Sequence, residues 1–134
     1  MIIGVTLKRL TLGKNKRLLS NSQFEDVLAR KLRFSNSLLT LYMAENQCGY
    51  PRLGVSVGKA HGNSVVRNRL KRLLREAFRL SQEQLPESYD YLLMVSAKWS
   101  AKSEDISKDV KLLKAGTIEK SFMQLVKKAG SEIG

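Results

Sequence analysis

The stretch that decides the fold is residues 64–80, which read SVVRNRLKRLLREAFRL. At about 100° per residue, the spacing of an α-helix, its apolar side chains fall on one broad face. That face consists of Val66, Leu70, Leu73, Leu74, Ala77, Phe78 and Leu80. The opposite face carries Asn68, Lys71, Arg72, Arg75 and Arg79, with Arg67 and Arg69 near the two borders. The pattern predicts a helix from about Ser64 to Leu80 that packs its apolar face on a sheet.

Positive charge dominates the polar face of this predicted helix. Glu76 is the only acid among the six basic residues from Arg67 to Arg79. An ordinary solvated helix face interleaves acids and bases one turn apart, because like charges at that spacing repel. The repulsion is tolerable where an anionic partner neutralises it, so the pattern favours a binding face over a solvated one.

The charge of the whole chain is concentrated in the same way. The 134 residues carry a net charge of +12, with a pI near 10.1. Residues 1–34 contribute +6, residues 35–51 contribute −1, residues 52–79 contribute +7, and residues 80–134 contribute zero. A surplus confined to part of a chain indicates a surface for a polyanion, and nucleic acid is the commonest such partner.

Around the helix, the sequence predicts a single α+β domain over residues 1–134 with the order αββαβα. Residues 1–15 form a flexible N-terminal extension in this interpretation. The predicted elements are a first helix from about Ser20 to Arg30, strands at 38–43, 53–57 and 91–95, the helix at 64–80, and a helical region over 104–129. The first two strands are expected to form an antiparallel pair, and the third to lie at the sheet centre with both faces covered.

The helical region at 104–129 is expected to be split by Gly116 and Thr117. In this interpretation Thr117 caps a last helix. That helix buries Ile118, Phe122, Leu125 and Val126.

Residues with catalytic chemistry are sparse. His61 is the only histidine and Cys48 the only cysteine, so neither an internal disulfide nor a cysteine zinc site can form. A single thiol fits a reducing cytoplasm, and no apolar run approaches the ~20 residues of a membrane-spanning helix. No catalytic residue and no metal site is therefore predicted on the protein, and His61 is interpreted as a turn residue that could touch phosphate.

Several motifs, taken in order, closely resemble the protein subunit of bacterial ribonuclease P. The central one is the Arg67-Asn68-Arg69 triplet followed by Lys71-Arg72, which opens a helix after a strand and a Gly-Asn turn. The others are Lys16-Arg17-Leu18, Ser22-Gln23-Phe24, the strand Arg52-Leu53-Gly54-Val55-Ser56-Val57-Gly58-Lys59, and Tyr89-Asp90-Tyr91 before an apolar run. The resemblance covers residues 16–98, with a weaker match at the last helix.

The resemblance implies a fold like domain 2 of ribosomal protein S5, with a left-handed βαβ crossover. It also implies that the protein assembles with a catalytic RNA that removes the 5′ leader of precursor tRNA. The RNA and its Mg²⁺ ions perform the hydrolysis, and the protein contributes substrate and metal affinity. No organic cofactor, membrane or obligate protein partner is implied, and the expected location is the cytoplasm.

Two sets of site residues follow from the resemblance. The contacts to the catalytic RNA are Lys59, Asn63, Arg67, Asn68, Arg69, Lys71, Arg72 and Arg75. The single-stranded leader is expected in a cleft formed by Arg17, Phe24, Leu28, Tyr42 and Ser56. The residues alone leave open whether Phe24 and Tyr42 belong to the core, and the resemblance favours the cleft. Leu28 stands where the family often has a second aromatic, and Lys59-Ala60 keeps one of two frequent lysines.

Two other functions are compatible with parts of the sequence. A ribosomal or RNA-chaperone-like protein would share the basic helix without placing Phe24 and Tyr42 in one cleft. A membrane-surface amphipathic protein is disfavoured, because so small a domain needs the apolar face of 64–80 to cover its strands.

Overall fold

The computed structural model describes residues 25, 27–29, 32–46 and 49–133. Its centre is a four-stranded sheet in the order β1-β2-β4-β3. The strands are β1 (Leu32–Ser35), β2 (Leu39–Glu45), β3 (Arg52–Ser56) and β4 (Tyr89–Val95). The helices are α1 (Ser64–Ser81), α2 (Ala97–Ala101), α3 (Ile106–Leu112) and α4 (Ala115–Ile133), with short 3-10 turns at Lys59–His61 and Gln82–Gln84. Residues 25 and 27–29 are also helical, within the predicted first helix.

The sheet is mixed. β2 pairs antiparallel with both β1 and β4, whereas β3 pairs with β4 in parallel. The α+β class and the central position of β4 are confirmed. The predicted antiparallel pair of β2 and β3 is wrong, because β4 lies between them and pairs with β2 along its full seven residues. The crossover from β3 through α1 to β4 joins parallel neighbours, and its predicted handedness stays a prediction.

Helices α1 and α4 cover one face of the sheet and form the main core with it. Phe78 of α1, Tyr91 of β4 and Phe122 of α4 meet there, with ring centroids 6.0–6.2 Å apart. The Tyr91 hydroxyl donates to the carbonyl of Pro86 at 2.9 Å. The predicted burial of Ile118, Phe122, Leu125 and Val126 is confirmed. This packing fixes the orientation of α1.

The α1 helix matches its prediction closely. It begins at Ser64, as predicted, and ends at Ser81, one residue beyond the predicted end. Its buried side chains are Val66, Leu70, Leu74, Ala77, Phe78 and Ser81. Leu80 is 38% exposed, so its assignment to the apolar face is wrong. Ser81 takes the inward position in the last turn because it follows Ala77 by four residues.

The predicted element order lacked β1 and α2. β1 consists of only four residues, LRFS, which alternate apolar and polar side chains but are too few to establish the period of a strand. Asn36 closes the β1–β2 turn, because its Oδ1 accepts from the amides of Leu38 and Leu39 at 3.0 and 2.8 Å. Its Nδ2 donates to the Ser121 carbonyl of α4 at 3.1 Å, which ties the hairpin to the helical layer.

The C-terminal helices break earlier than predicted. Asp105 caps α3 by accepting from the Lys108 amide at 3.2 Å. Leu113 is extended, and α4 starts at Ala115, so Gly116 and Thr117 lie inside its first turn. The prediction that Thr117 caps the last helix is therefore wrong. Of the helices in the described ranges, none is long and apolar enough to cross a membrane.

Candidate nucleic-acid interface

The turn before α1 fixes where the helix begins. Asn63 is its N-cap, and its Oδ1 accepts from the Val66 amide at 3.1 Å. Gly62 has a φ of +123°, a backbone conformation that side chains rarely adopt. A Cβ at Gly62 would also stand 3.0 Å from Val66 Cγ1 and 3.2 Å from Ile106 Cγ2. The turn therefore requires glycine, and the predicted start of the helix at Ser64 is confirmed.

The outward face of α1 presents the cationic residues together. Asn68, Arg72 and Arg75 are exposed, whereas Arg67 and Lys71 are half-buried. Within the described part of the chain, none of these basic residues is paired with a carboxylate. We call Arg67, Asn68, Lys71, Arg72 and Arg75 the α1 cationic face. The structure thus groups these predicted residues on one rigid element, although contact with RNA stays a prediction.

Arg79 is the last basic residue of α1, and it is neutralised locally. Its Nη2 lies 2.6 Å from Glu76 Oε1, and its Nε donates to Glu76 Oε2 at 3.0 Å. This hydrogen-bonded pairing lowers the pKa of Glu76, against a smaller opposing effect of burial. The open positive charge of the helix therefore ends at Arg75.

Arg69 has a partner that the sequence did not reveal. Its Nε donates to the carbonyl of Val110 at 3.2 Å, and its Nη2 donates to the carbonyl of Lys111 at 3.3 Å. Both carbonyls lie at the C-terminal end of α3, where the helix dipole favours a cation. The Val110 carbonyl also accepts from the Leu113 amide at 3.2 Å. Arg69 is exposed but links α1 to α3. The contact of Arg69 with RNA stays a prediction. The guanidinium would make that contact while it already donates to two carbonyls.

His61 lies in the 3-10 turn that precedes α1, as predicted for a turn residue. It is 6% exposed, so its ring does not form part of the surface. Burial lowers the pKa of His61, and a hydrogen bond to the Val95 backbone opposes this in part. The imidazole is therefore neutral at pH 7. Lys59, two residues earlier in the same turn, is exposed.

The second surface lies on the sheet face opposite the α1–α4 layer, which we call the open sheet face. The register places Arg33, Tyr42, Leu92 and Gly54 in one row across the four strands. Ser35, Thr40, Met94 and Ser56 form the next row. The predicted leader residues Tyr42 and Ser56 thus lie on one face, two strands apart. Both are half-buried.

The N-terminal helical segment packs on this face. Val27 is buried with Ala44 and Leu92, and Tyr42 and Met94 pack at the margin of this small cluster. Leu28, the next residue, is 41% exposed. The helical segment and the sheet face thus lie together through Val27, whereas a leader site at Leu28, Tyr42 and Ser56 stays a prediction. The predicted leader residues Arg17 and Phe24, together with the extension at 1–15, lie outside the described residues.

One end of the open sheet face is closed by a buried ion pair. Arg52 Nε and Nη2 donate to the two Asp90 carboxylate oxygens, each at 2.7 Å. Asn46 Nδ2 donates to Asp90 Oδ1 at 2.8 Å. The side chains of Arg52 and Asp90 are 19% and 8% exposed. The pair fixes the parallel register of β3 on β4, because Arg52 and Asp90 are register partners. Sequence reasoning did not pair them.

A cationic helix on a rigid layer and a second sheet face with a half-buried tyrosine are typical of a small nucleic-acid-binding protein of the α+β class. Comparison with known proteins narrows the class. Residues 12–129 match the family model described as Ribonuclease P. The ribonuclease P protein component of Clostridium botulinum strain Langeland is 38% identical over 118 residues, covering 87% of this chain and 96% of that protein. The chain belongs to the family of ribonuclease P protein components.

Further comparisons agree with this assignment. The ribonuclease P protein component of Clostridium novyi is 41% identical over 119 residues, covering 87% of this chain and 96% of that protein. The solved structure of the Thermotoga maritima RNase P protein superimposes with a TM-score of 0.70 at 24% identity, covering 84% and 96% of the two chains. The Staphylococcus aureus RNase P protein superimposes with a TM-score of 0.68 at 23% identity, covering 85% of this chain and 94% of that chain. These two structural likenesses establish the shared fold.

Proposed function

We propose that the α1 cationic face docks on the catalytic RNA of ribonuclease P and that the open sheet face holds the 5′ leader of precursor tRNA. The protein is the subunit that assists the tRNA-processing ribonuclease, acting in the cytoplasm. The observation that carries the proposal is the α1 cationic face itself. Its four basic side chains share one rigid helix, and in the described chain no carboxylate neutralises them.

The geometry of α1 suits a phosphate backbone. Its buried face is held by the core, so Arg72 and Arg75 start from fixed Cα positions one turn apart. Planar guanidinium groups donate paired hydrogen bonds that match phosphate oxygens. Each phosphate neutralised also releases counterions, which makes such binding strongly dependent on salt. In the free protein these cations repel one another. Docked RNA would neutralise them and so remove this repulsion.

The open sheet face suits a single strand of variable sequence. Tyr42 offers an aromatic ring, Met94 and the exposed Leu28 offer apolar contacts, and Ser56 offers a hydroxyl. Aromatic stacking tolerates any base because every base has a π-face. The backbone amides of the central strands are engaged in the sheet, so base edges meet few fixed donors. The surface therefore favours unpaired RNA without requiring a particular leader.

Hydrolysis in this proposal belongs to the RNA subunit and its Mg²⁺ ions. The protein side chains supply charge neutralisation and substrate positioning. His61 is buried, so its ring does not reach a scissile phosphate at the surface as a general acid or base. A ribosomal or RNA-chaperone-like role is not favoured, because the relatives that match along nearly their whole length are ribonuclease P protein components.

The test is cleavage of precursor tRNA by a bacterial ribonuclease P RNA at low Mg²⁺, with and without this protein. We expect clear stimulation by the protein. The double variant Arg72→Gln with Arg75→Gln should bind the RNA more weakly and flatten the slope of log affinity against log salt by about 1.5. A matched control removes two exposed charges from α4, as Lys127→Gln with Lys128→Gln. Absence of stimulation, or equal effects of the two double variants, contradicts the proposal.

The leader surface has a separate test. Tyr42→Ala should weaken binding of precursor tRNA to the holoenzyme, while mature tRNA, which lacks the leader, should bind as before. The expected loss is roughly fivefold to tenfold, the value of one base–aromatic stack. Equal losses for precursor and mature tRNA would make Tyr42 a packing residue of the cluster around Val27.

A further inference from the structure

Arg33 lies on the open sheet face directly across from Tyr42. The two residues are partners in the antiparallel register of β1 and β2. Directly opposed side chains on one sheet face stand about 5 Å apart at Cβ. Arg33 is exposed and Tyr42 half-buried. The register therefore makes an arginine and a tyrosine direct cross-strand neighbours, at the margin of the surface proposed for the leader.

The partners of the arginines on this face distinguish Arg33 from Arg52. Arg52 is bonded to both oxygens of Asp90 at 2.7 Å, so its charge is largely neutralised. Arg33 makes no hydrogen bond or ion pair with any residue in the described ranges. The Arg33 guanidinium therefore keeps both its charge and its donors for an external anion.

We infer that Arg33 and Tyr42 form a two-part contact for single-stranded RNA, in which Tyr42 stacks on a base and Arg33 binds the adjacent phosphate. The inference rests on the proposed leader surface and extends it to the β1 edge. Stacking tolerates any base, and a guanidinium binds any phosphate. The contact thus selects an unpaired strand without selecting its sequence.

The sheet order gives this contact a dependence on leader length. β1 and β3 are the two edges of the sheet, and three interstrand spacings, about 14 Å, separate them. The helix that carries the α1 cationic face follows β3 in the chain after the 3-10 turn at Lys59–His61. A leader that enters the open sheet face near Ser56 reaches Arg33 only after crossing β4 and β2. Short leaders should therefore end before Arg33.

The experiment measures binding of precursor tRNAs with leaders of graded length to the holoenzyme reconstituted with a bacterial ribonuclease P RNA. Arg33→Gln should weaken binding of long-leader precursors roughly fivefold. It should also reduce the slope of log affinity against log salt for these precursors by about 0.7. Short-leader precursors and mature tRNA should bind as to the unaltered holoenzyme. Arg33→Lys should restore most of the salt slope, because the charge remains, and Lys127→Gln on α4 serves as the control for a lost exposed charge.

The outcomes separate this inference from the proposed function. A loss that appears only beyond a threshold leader length supports the Arg33 contact. If Tyr42→Ala weakens binding of precursors selectively and Arg33→Gln has no effect, the Arg33 assignment is wrong and the leader surface stands. If neither variant distinguishes precursor from mature tRNA, both are overturned. Equal losses from Arg33→Gln at all leader lengths also overturn the inference, since Arg33 then acts outside the leader path. Arg33 is exposed on a short edge strand, so a thermal melt of Arg33→Gln should match that of the unaltered protein.

Discussion

At the scale of single residues, His61 makes the stability of the protein depend on pH. Its imidazole is buried in the turn before α1, and burial holds its pKa below the ordinary 6.5. Between these two pKa values the unfolded chain binds more protons than the folded one. The free energy of unfolding should therefore fall as the pH drops below about 7, and the contribution of His61 to the slope should fade as the pH rises above that value.

His61→Gln isolates this effect. The variant lacks the titrating group, so the fall in its unfolding free energy between pH 7 and pH 5 should be smaller than that of the unaltered protein. Urea denaturation at a series of pH values measures both slopes. Glu76 also titrates abnormally, but its lowered pKa acts in more acidic solution and is common to both proteins. Parallel slopes in the two proteins would show that His61 does not carry the pH dependence.

The partners of single arginines explain which site residues could be identified from the sequence. Periodicity places Arg72 and Arg75 on the polar face of α1 and Arg69 near its border, but it does not show what any of the three contacts. The structure separates them by their partners: Arg69 donates to carbonyls about forty positions away in the chain, whereas Arg72 and Arg75 project freely. Contacts between residues so far apart leave no local signal. Glu76 and Arg79 lie one turn apart, so that ion pair could have been read from spacing alone.

At the scale of elements, the position of α3 depends on Arg69. The helix has only seven residues, which is too short to be stable without tertiary contacts. Val110 is buried against the core, and the Arg69 guanidinium donates to two carbonyls of the last turn. The Val110 carbonyl also accepts from the Leu113 amide. Arg69→Lys keeps the charge but cannot reproduce the paired hydrogen bonds. Residues 106–112 should then open more readily, by about 1 kcal/mol.

Amide hydrogen exchange of α3 measures this opening. We expect exchange at 106–112 to become roughly fivefold faster in Arg69→Lys, with α1 unaffected. Arg72→Lys makes the same chemical change one turn along, where no carbonyl is bonded, and should leave α3 exchange as it was. If Arg72→Lys accelerates α3 exchange equally, the tether through Arg69 is not the cause.

Elements with a strong local pattern were the ones that sequence reasoning predicted well. α1 combines a capping Asn63, an obligatory Gly62 and an uninterrupted apolar stripe, so its bounds are correct to within one residue. β1, with four residues, and α2, with five, are too short to establish a period. The pairing of β4 between β2 and β3 is a non-local property, because it depends on where the α1 crossover returns the chain.

At the scale of the whole molecule, the two faces of the sheet have different roles. The α1–α4 layer on one face provides the core that orients the cationic helix. The other face holds the smaller cluster around Val27 and leaves Arg33 and Tyr42 at the surface. One rigid sheet therefore fixes the position of the proposed leader surface relative to the α1 cationic face. A subunit that must hold a substrate strand beside its RNA partner needs such a fixed relation.

The concentration of charge on this scaffold should also make its stability depend on anions. Cations of the α1 cationic face repel one another in the folded protein, and an anion that binds there stabilises the folded state by mass action. Sulfate should therefore raise the melting temperature more than sodium chloride at equal ionic strength, which controls for screening. Sulfate also strengthens burial generally, so the informative quantity is the difference between proteins. Arg72→Gln with Arg75→Gln should melt higher than the unaltered protein at low salt and gain less from sulfate. If the double variant gains as much from sulfate as the unaltered protein, the anions do not act at this face.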